Sequence, residues 1–228
     1  MLRFSDSRNF TRTLAALGLI VAPLMLLAAA IIGPDISGDD YVEELASIAD
    51  NEAAWVISGI LFLFAPLVLL PGMLGVIRLL RRRGVTLGQV GAGLIMFGAL
   101  LTMAFYGWGA IEYVAATEDG VDRGQMATVF DAAEDSVVGV PIWVGGFIIG
   151  LTIGSILLAI GLWRNRVVPI WSPIALVLST LINFFGAEEK WVAAASFVLL
   201  FIALWPLAQK LLSISDDEWE DWHLPEPD

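Results

Sequence analysis

The sequence predicts an all-α protein, a six-transmembrane helix bundle with both termini in the cytoplasm and short amphipathic helices on the outer side. Three observations lead there. Of 228 residues, 58% are hydrophobic and only 16% charged, against about 45–50% and about 25% in a soluble domain. Six long stretches contain no charged residue at all. The basic residues gather on alternate connections between those stretches.

The uncharged runs are 13–34, 53–77, 84–111, 136–163, 167–187 and 191–209. A helix needs about 20 apolar residues to cross a hydrocarbon core about 30 Å thick. Five runs reach that length, and Lys210 can snorkel at the end of the sixth, where Leu211 and Leu212 extend it. The first run follows Arg3, Arg8 and Arg12 and ends near Ala28-Ala29-Ala30. It is longer than the 7–15 apolar residues typical of a secretory signal, so an uncleaved first helix is expected. Residues 1–212 then form one membrane domain, and 213–228 form an acidic cytoplasmic tail.

Orientation follows from charge. Arg3, Arg8, Arg12, Arg78, Arg81, Arg82, Arg83, Arg164, Arg166 and Lys210 lie on one side, and only Arg123 and Lys190 on the other. The positive-inside rule puts the first side in the cytoplasm, which implies the cell (cytoplasmic) membrane as the location. Tryptophans agree with that arrangement. Trp55, Trp108, Trp143 and Trp191 fall near outer span ends, and Trp163, Trp171 and Trp205 near inner ones.

The pattern predicts a unit used twice in parallel. Asp40-x-x-Glu43 and Asp122-x-x-Gln125 each pair an acidic N-cap with Glu or Gln three residues later. Apolar residues at helical spacing follow each pair. With a one-residue gap, Ala46-Ser47-Ile48 and Asp50 align with Ala127-Thr128-Val129 and Asp131. Each unit then descends through a span, turns at Arg81-Arg82-Arg83 or Arg164-Asn165-Arg166, and ascends, which pairs helices 2–3 with 4–5. This pattern, over roughly 41–186, resembles an uncharacterised family of prokaryotic multi-pass membrane proteins. The resemblance brings no activity or functional residue with it.

Composition removes several functions. The absence of cysteine excludes a disulfide scaffold. The apolar content excludes a disordered chain. A net charge of −12 argues against a nucleic-acid partner. The single histidine, His223, sits in the tail, which leaves no His/Cys metal or haem site within one chain. No GxSxG elbow and no phosphate-cradling glycine loop occurs. No catalytic, metal-binding or cofactor-binding residue is therefore assigned, and no cofactor is expected.

Four features stand out as candidate sites. Gly146, Gly150 and Gly154 line one helix face and would let a neighbouring backbone approach, either within the chain or in a homo-oligomer. Gly84, Gly88 and Ala92 form a weaker stripe. Pro66 and Pro71 are expected to kink the second span, as ordinary membrane prolines do or as the broken helices of transporters do. Intramembrane polarity is limited to Gln89, Thr102, Tyr106, Thr152, Ser155, Ser179, Thr180 and Asn183. None of these ionises near neutral pH, which argues against proton-coupled transport. In the tail, Trp219 and Trp222 among acids could meet a protein partner.

The outer face carries 16 acids. They form a solvated surface that would suit a high-salt habitat, a protein-docking face or a cation site without EF-hand spacing. The leading expectation is a non-enzymatic membrane protein acting through protein or lipid contacts, with membrane lipid, its own copies and a protein at the acidic outer face or tail as candidate partners. The alternatives are a small-molecule or ion transporter or channel, and a membrane enzyme using outer carboxylates such as Asp122 and Asp131.

Overall fold

A computed structural model describes residues 6–35, 41–80, 85–134, 144–186 and 189–220. All regular structure among them is helical. The helices are α1 (Ser7–Ile32), α2 (Tyr41–Asp50), α3 (Glu52–Leu79), α4 (Val85–Thr117), α5 (Arg123–Glu134), α6 (Val144–Asn165), α7 (Trp171–Gly186), α8 (Lys190–Ser213) and α9 (Asp216–Glu220). The first ten residues of α6, Val144–Ile153, are π-helical.

Six of these helices close into a ring. Helix α1 packs on α3 and α8, α3 on α4, α4 on α6, α6 on α7, and α7 on α8. Small residues alternate with leucines on the buried faces, and large apolar residues cover the exposed ones. On α1, Ala15, Gly18, Leu19 and Ala22 are buried, whereas Leu14, Leu17, Val21 and Leu24 are exposed. On α7, Ser172, Ala175 and Ser179 are buried, and Ile174, Leu178 and Phe185 are exposed. On α8, Ser196, Ala203 and Ala208 are buried, and Val198, Ile202 and Trp205 are exposed. Water would penalise an apolar girdle of that extent. Lipid does not, and it leaves close packing of small residues as the force between helices.

Glycines set the closest crossings. A Cβ on Gly98 of α4 would stand 2.6 Å from the Gly146 carbonyl oxygen and 2.7 Å from Gly150 Cα on α6. One on Gly91 would meet the Gly154 carbonyl oxygen at 2.7 Å. The α1–α3 crossing is similar, with Gly18 against Val68 and Gly72, and Gly75 against Ala15.

Five helices, α1, α3, α4, α6 and α8, are long and apolar enough to cross a membrane. Each covers most of one expected run. The run 167–187 is helical only over 16 residues, Trp171–Gly186. Pro169 accounts for the late start, because it lacks an N–H and disfavours helical backbone at Val168. Pro173 falls in the first turn, where proline is tolerated. The preceding turn is made by Arg166 in left-handed backbone (φ +52°).

Helix α4 departs in the other direction. Its expected span ends at residue 111, yet the helix runs on to Thr117, about 50 Å in all at 1.5 Å per residue. Glutamate is a good helix former, so Glu112 ends an apolar run without ending the helix. Around this extension α2 and α5 build a second small core. Leu45, Ile48, Ala115, Ala116 and Phe130 are buried there, with Tyr41 and Trp108 each 5.5 Å from the Phe130 ring.

Asp122 Oδ1 accepts from the Gly124 and Gln125 N–H groups at 2.9 and 3.2 Å and so caps α5. Its expected counterpart Asp40 lies outside the described residues, as do Arg81–Arg83, Gly84, Asp135, Trp143, Glu188 and Trp222. Pro66 and Pro71 each remove one N–H from α3, which continues through both without a break.

Candidate functional site

The ring holds a central cavity of about 120 Å³ to which all six helices contribute. Five of the polar residues singled out above meet on its wall: Thr102, Ser155, Ser179, Thr180 and Asn183. Thr102 donates to the Ala99 carbonyl at 2.9 Å. The Thr180 and Ser155 hydroxyls lie 3.0 Å apart, and Asn183 Nδ2 donates to Ser196 Oγ at 3.1 Å. Pro66 of α3 and Phe147 of the π-helical segment share this wall, the rest of which is apolar. The volume admits a few waters, below the 300–1,000 Å³ common for small-molecule pockets. Gln89 stays outside the cavity lining, Thr152 donates to the Phe147 carbonyl at 2.9 Å, and the Tyr106 side chain is outside the described part.

A larger cleft, about 570 Å³, opens at the end of the ring capped by α2 and α5. Its walls come from the end of α1, the first turns of α3, the 109–114 stretch of α4 and the start of α8. Trp55 Nε1 donates to the Gly109 carbonyl at 3.2 Å and joins two walls. The mouth is apolar, with Val56, Ile60 and Val114 all exposed.

Two charged side chains face this apolar space. Glu112 is 8% exposed. Lys190 is half-buried and donates to the Gly33 carbonyl at 2.6 Å, which satisfies one of the acceptors left over at the end of α1. Gly59 sits in the wall where an added Cβ would meet nothing within 4 Å.

At the ring's opposite end the chain folds back on itself. The guanidinium of Arg12, 9% exposed, bonds the carbonyls of Leu211, Leu212 and Ile214 at the end of α8. Its Nη2 also lies 2.8 Å from Asp216 Oδ1, an ion pair by distance without hydrogen-bond alignment. Trp219 is 3% exposed. Its Nε1 donates to Thr11 Oγ1 at 3.0 Å, and Arg78 stacks 4.7 Å above its ring. Arg8 meets Asp217 at 3.2 Å.

Asp6 starts α1 by accepting from the Arg8 N–H at 3.0 Å. Partial desolvation acts to raise its pKa. The Arg8 and Asn9 N–H groups and the Arg8 charge outweigh that, and the carboxyl is held below the ordinary aspartate range.

The sequence-derived sites thus have distinct fates. Gly146, Gly150 and Gly154 face α4 of the same chain. Pro66 lines the central cavity, and Pro71 lies apart from it. Trp219 is engaged by Thr11 and Arg78 rather than open to a partner. Asp131 is exposed on α5, nine positions along the chain from the capping Asp122. Among the described residues no group of three His, Cys, Asp or Glu side chains converges as metal ligands would.

The residues that sequence reasoning passed over are Glu112, Lys190 and Arg12, all counted as solvated loop or terminal charges. For Glu112 the available signal was the apolar continuation Val114-Ala115-Ala116, which keeps the helix going beneath a cover.

All-helical architecture, five helices able to cross a bilayer and an exposed apolar girdle define a class compatible with integral membrane proteins. No protein-family model, curated protein or solved structure matches the chain.

Proposed function

We propose that this is a six-span protein of the cytoplasmic membrane, with both termini inside, that acts without catalysis through contacts with lipid or protein. The observation that carries this reading is where space lies in the bundle. A cleft of about 570 Å³ has an aliphatic mouth toward the girdle, whereas the ring's centre shrinks to about 120 Å³.

Helix α7 supplies the sixth crossing in this reading. Its 16 residues rise about 24 Å, and residues 167–170 extend the path toward the required 30 Å. Its exposed face is as apolar as those of its neighbours. The parallel repeat pairs α2–α3–α4 with α5–α6–α7. The acidic outer helices and the tail are the surfaces offered to a protein partner, and the girdle is the surface offered to a second copy.

The test has two arms. The chain has no cysteine, so single-cysteine variants at Ser213 and Asp119 can be labelled in intact cells with an impermeant maleimide. Labelling at residue 119 alone is expected, and labelling at 213 would overturn the orientation. Purification from gently solubilised membranes should recover a stoichiometric partner, a homo-oligomer or bound lipid. A lipid-free, partner-free monomer would overturn action through contacts.

A second reading, a transporter or channel, is favoured by one observation. A mostly apolar cavity that gathers five polar side chains contacts all six helices and adjoins both Pro66 and the π-helical turn, and discontinuous helices at mid-membrane form substrate sites in transporters. Solute flux across vesicles of the purified protein, abolished by Asn183→Leu, would establish it.

A further inference from the structure

We infer that a pocket at the inner end of the ring takes a phosphate group that carries no cation of its own. An anionic phospholipid of the inner leaflet offers such a group, and so does soluble phosphate. The lipid source rests on the membrane reading above and specifies its lipid contact. Three features of the pocket lead to it.

The first is unspent charge. The pocket, about 400 Å³, lies where the end of α3, the α6–α7 turn, the end of α8 and α9 meet. Arg166 from the turn and Lys210 from α8 share its lining. Among the described residues neither reaches a carboxylate at ion-pair distance; the pairs found there are Arg8 with Asp6 and Asp217, and Arg12 with Asp216. Glu218 of α9 is the acid of the lining and is engaged within the chain. Two cations and one acid leave the pocket net positive in a chain of net charge −12.

The second is placement. Arg166 holds left-handed backbone, φ +52° and ψ +34°, a position that helix ends ordinarily give to glycine. A residue with a Cβ is strained there, and strain of this kind collects at functional sites. The turn is fixed beside it, because Asn165, 5% exposed, donates from Nδ2 to the Gly161 carbonyl at 2.9 Å. On the α8 side Ile214 is held by Arg12, whose guanidinium bonds its carbonyl.

The third is selectivity. Leu79, Val167 and Ile214 make the rest of the lining apolar, which strengthens an ionic contact by lowering the local dielectric. Guanidinium and ammonium groups both pair with phosphate. A zwitterionic head group would bring its own ammonium toward the same two cations, and that repulsion favours a phosphate without one. Exposed Trp163 and Trp171 flank the turn in sequence and mark the level of lipid head groups.

The test uses the full-length protein and has two arms. In the first, the protein is reconstituted in bilayers of phosphatidylglycerol, phosphatidylethanolamine and phosphatidylcholine in equal parts, and lipid retained after extraction and delipidating washes is measured by mass spectrometry. In the second, inorganic phosphate is titrated into the delipidated protein in neutral detergent and followed by phosphorus NMR line broadening. The wild type is expected to keep phosphatidylglycerol in about tenfold preference over the other two lipids. Arg166→Gly suits the left-handed backbone and should hold or raise the melting temperature. Arg166→Gly and Lys210→Gln should each cut binding about tenfold. Arg164→Gln removes the same charge beside the same turn but outside the lining, and should leave binding unchanged.

Selective retention names the lipid as the source, and line broadening without it names soluble phosphate. Absence of both overturns the inference. So does unchanged binding in a folded Arg166→Gly, or an equal loss in Arg164→Gln, which would reduce the site to diffuse attraction. Flotation of the reconstituted vesicles reports insertion separately. A chain that fails to float refutes the membrane reading itself, and a chain that floats without binding in either arm refutes only the phosphate site.

Discussion

Replacing Gly98 by alanine adds one methyl group at a tight backbone-to-backbone point of the α4–α6 contact. An ordinary contact there needs about 3.4 Å, and the new Cβ would find the Gly146 carbonyl oxygen at 2.6 Å and Gly150 Cα at 2.7 Å. Both obstacles are backbone, so no rotamer change relieves them and the helices must separate by about 0.8 Å. Overpacking of this kind costs about 1–3 kcal/mol. Alanine also returns about 0.5–1 kcal/mol of helix preference over glycine.

Gly93, on the same helix, faces open space. Gly93→Ala therefore carries the preference term without the clash, and the difference between the two variants isolates the clash. Unfolding of each variant in mixed micelles, followed by circular dichroism, is expected to place Gly93→Ala at or above the wild type. Gly98→Ala should fall below Gly93→Ala by about 1–3 kcal/mol. Equal stabilities would show that α4 and α6 do not meet backbone to backbone.

Three further outcomes are expected. Arg12→Ala strips the carbonyls at the end of α8 of a charged donor and should loosen the tail by about 2–3 kcal/mol; hydrogen exchange across 214–219 reads it, and unchanged protection would mean the tail is held by Trp219 alone. Asp122→Ala removes the α5 cap and should cost about 1 kcal/mol, seen as faster exchange in α5 with the ring unaffected. Asp6 has a depressed folded pKa, so its contribution is complete above the ordinary aspartate value and fades as pH falls from about 4 through the folded value; melting curves of Asp6→Asn should lose that acid-side dependence.

The long apolar runs gave the spanning helices away because length and lack of charge are local properties. Helix boundaries were less legible where a residue's effect depends on its neighbours in space. Glu112 closes an apolar run in the sequence, but in three dimensions α2 and α5 cover the continuing helix. The glycine face of α6 was visible from its four-residue spacing. Its partner face was not, because Gly91 and Gly98, seven apart, are contacts only once α6 has chosen α4. The cleft was hidden for the same reason. Glu112 and Lys190 lie 78 positions apart and line one cleft only when α8 closes the ring beside α1. Arg12 looked like one more basic residue of a terminus until the end of α8 arrived beside it.

The central claim is that lipid surrounds the exposed apolar faces, and spin-label accessibility tests it most directly. Single nitroxide labels at Ile60, Leu178 and Ile202, one each on α3, α7 and α8, can be compared in vesicles with a label at Asp119 in the α4–α5 connection. The three girdle positions should collide with dissolved oxygen and be shielded from a water-soluble nickel chelate, with the reverse at 119. Chelate access at the girdle positions equal to that at 119 would contradict the account.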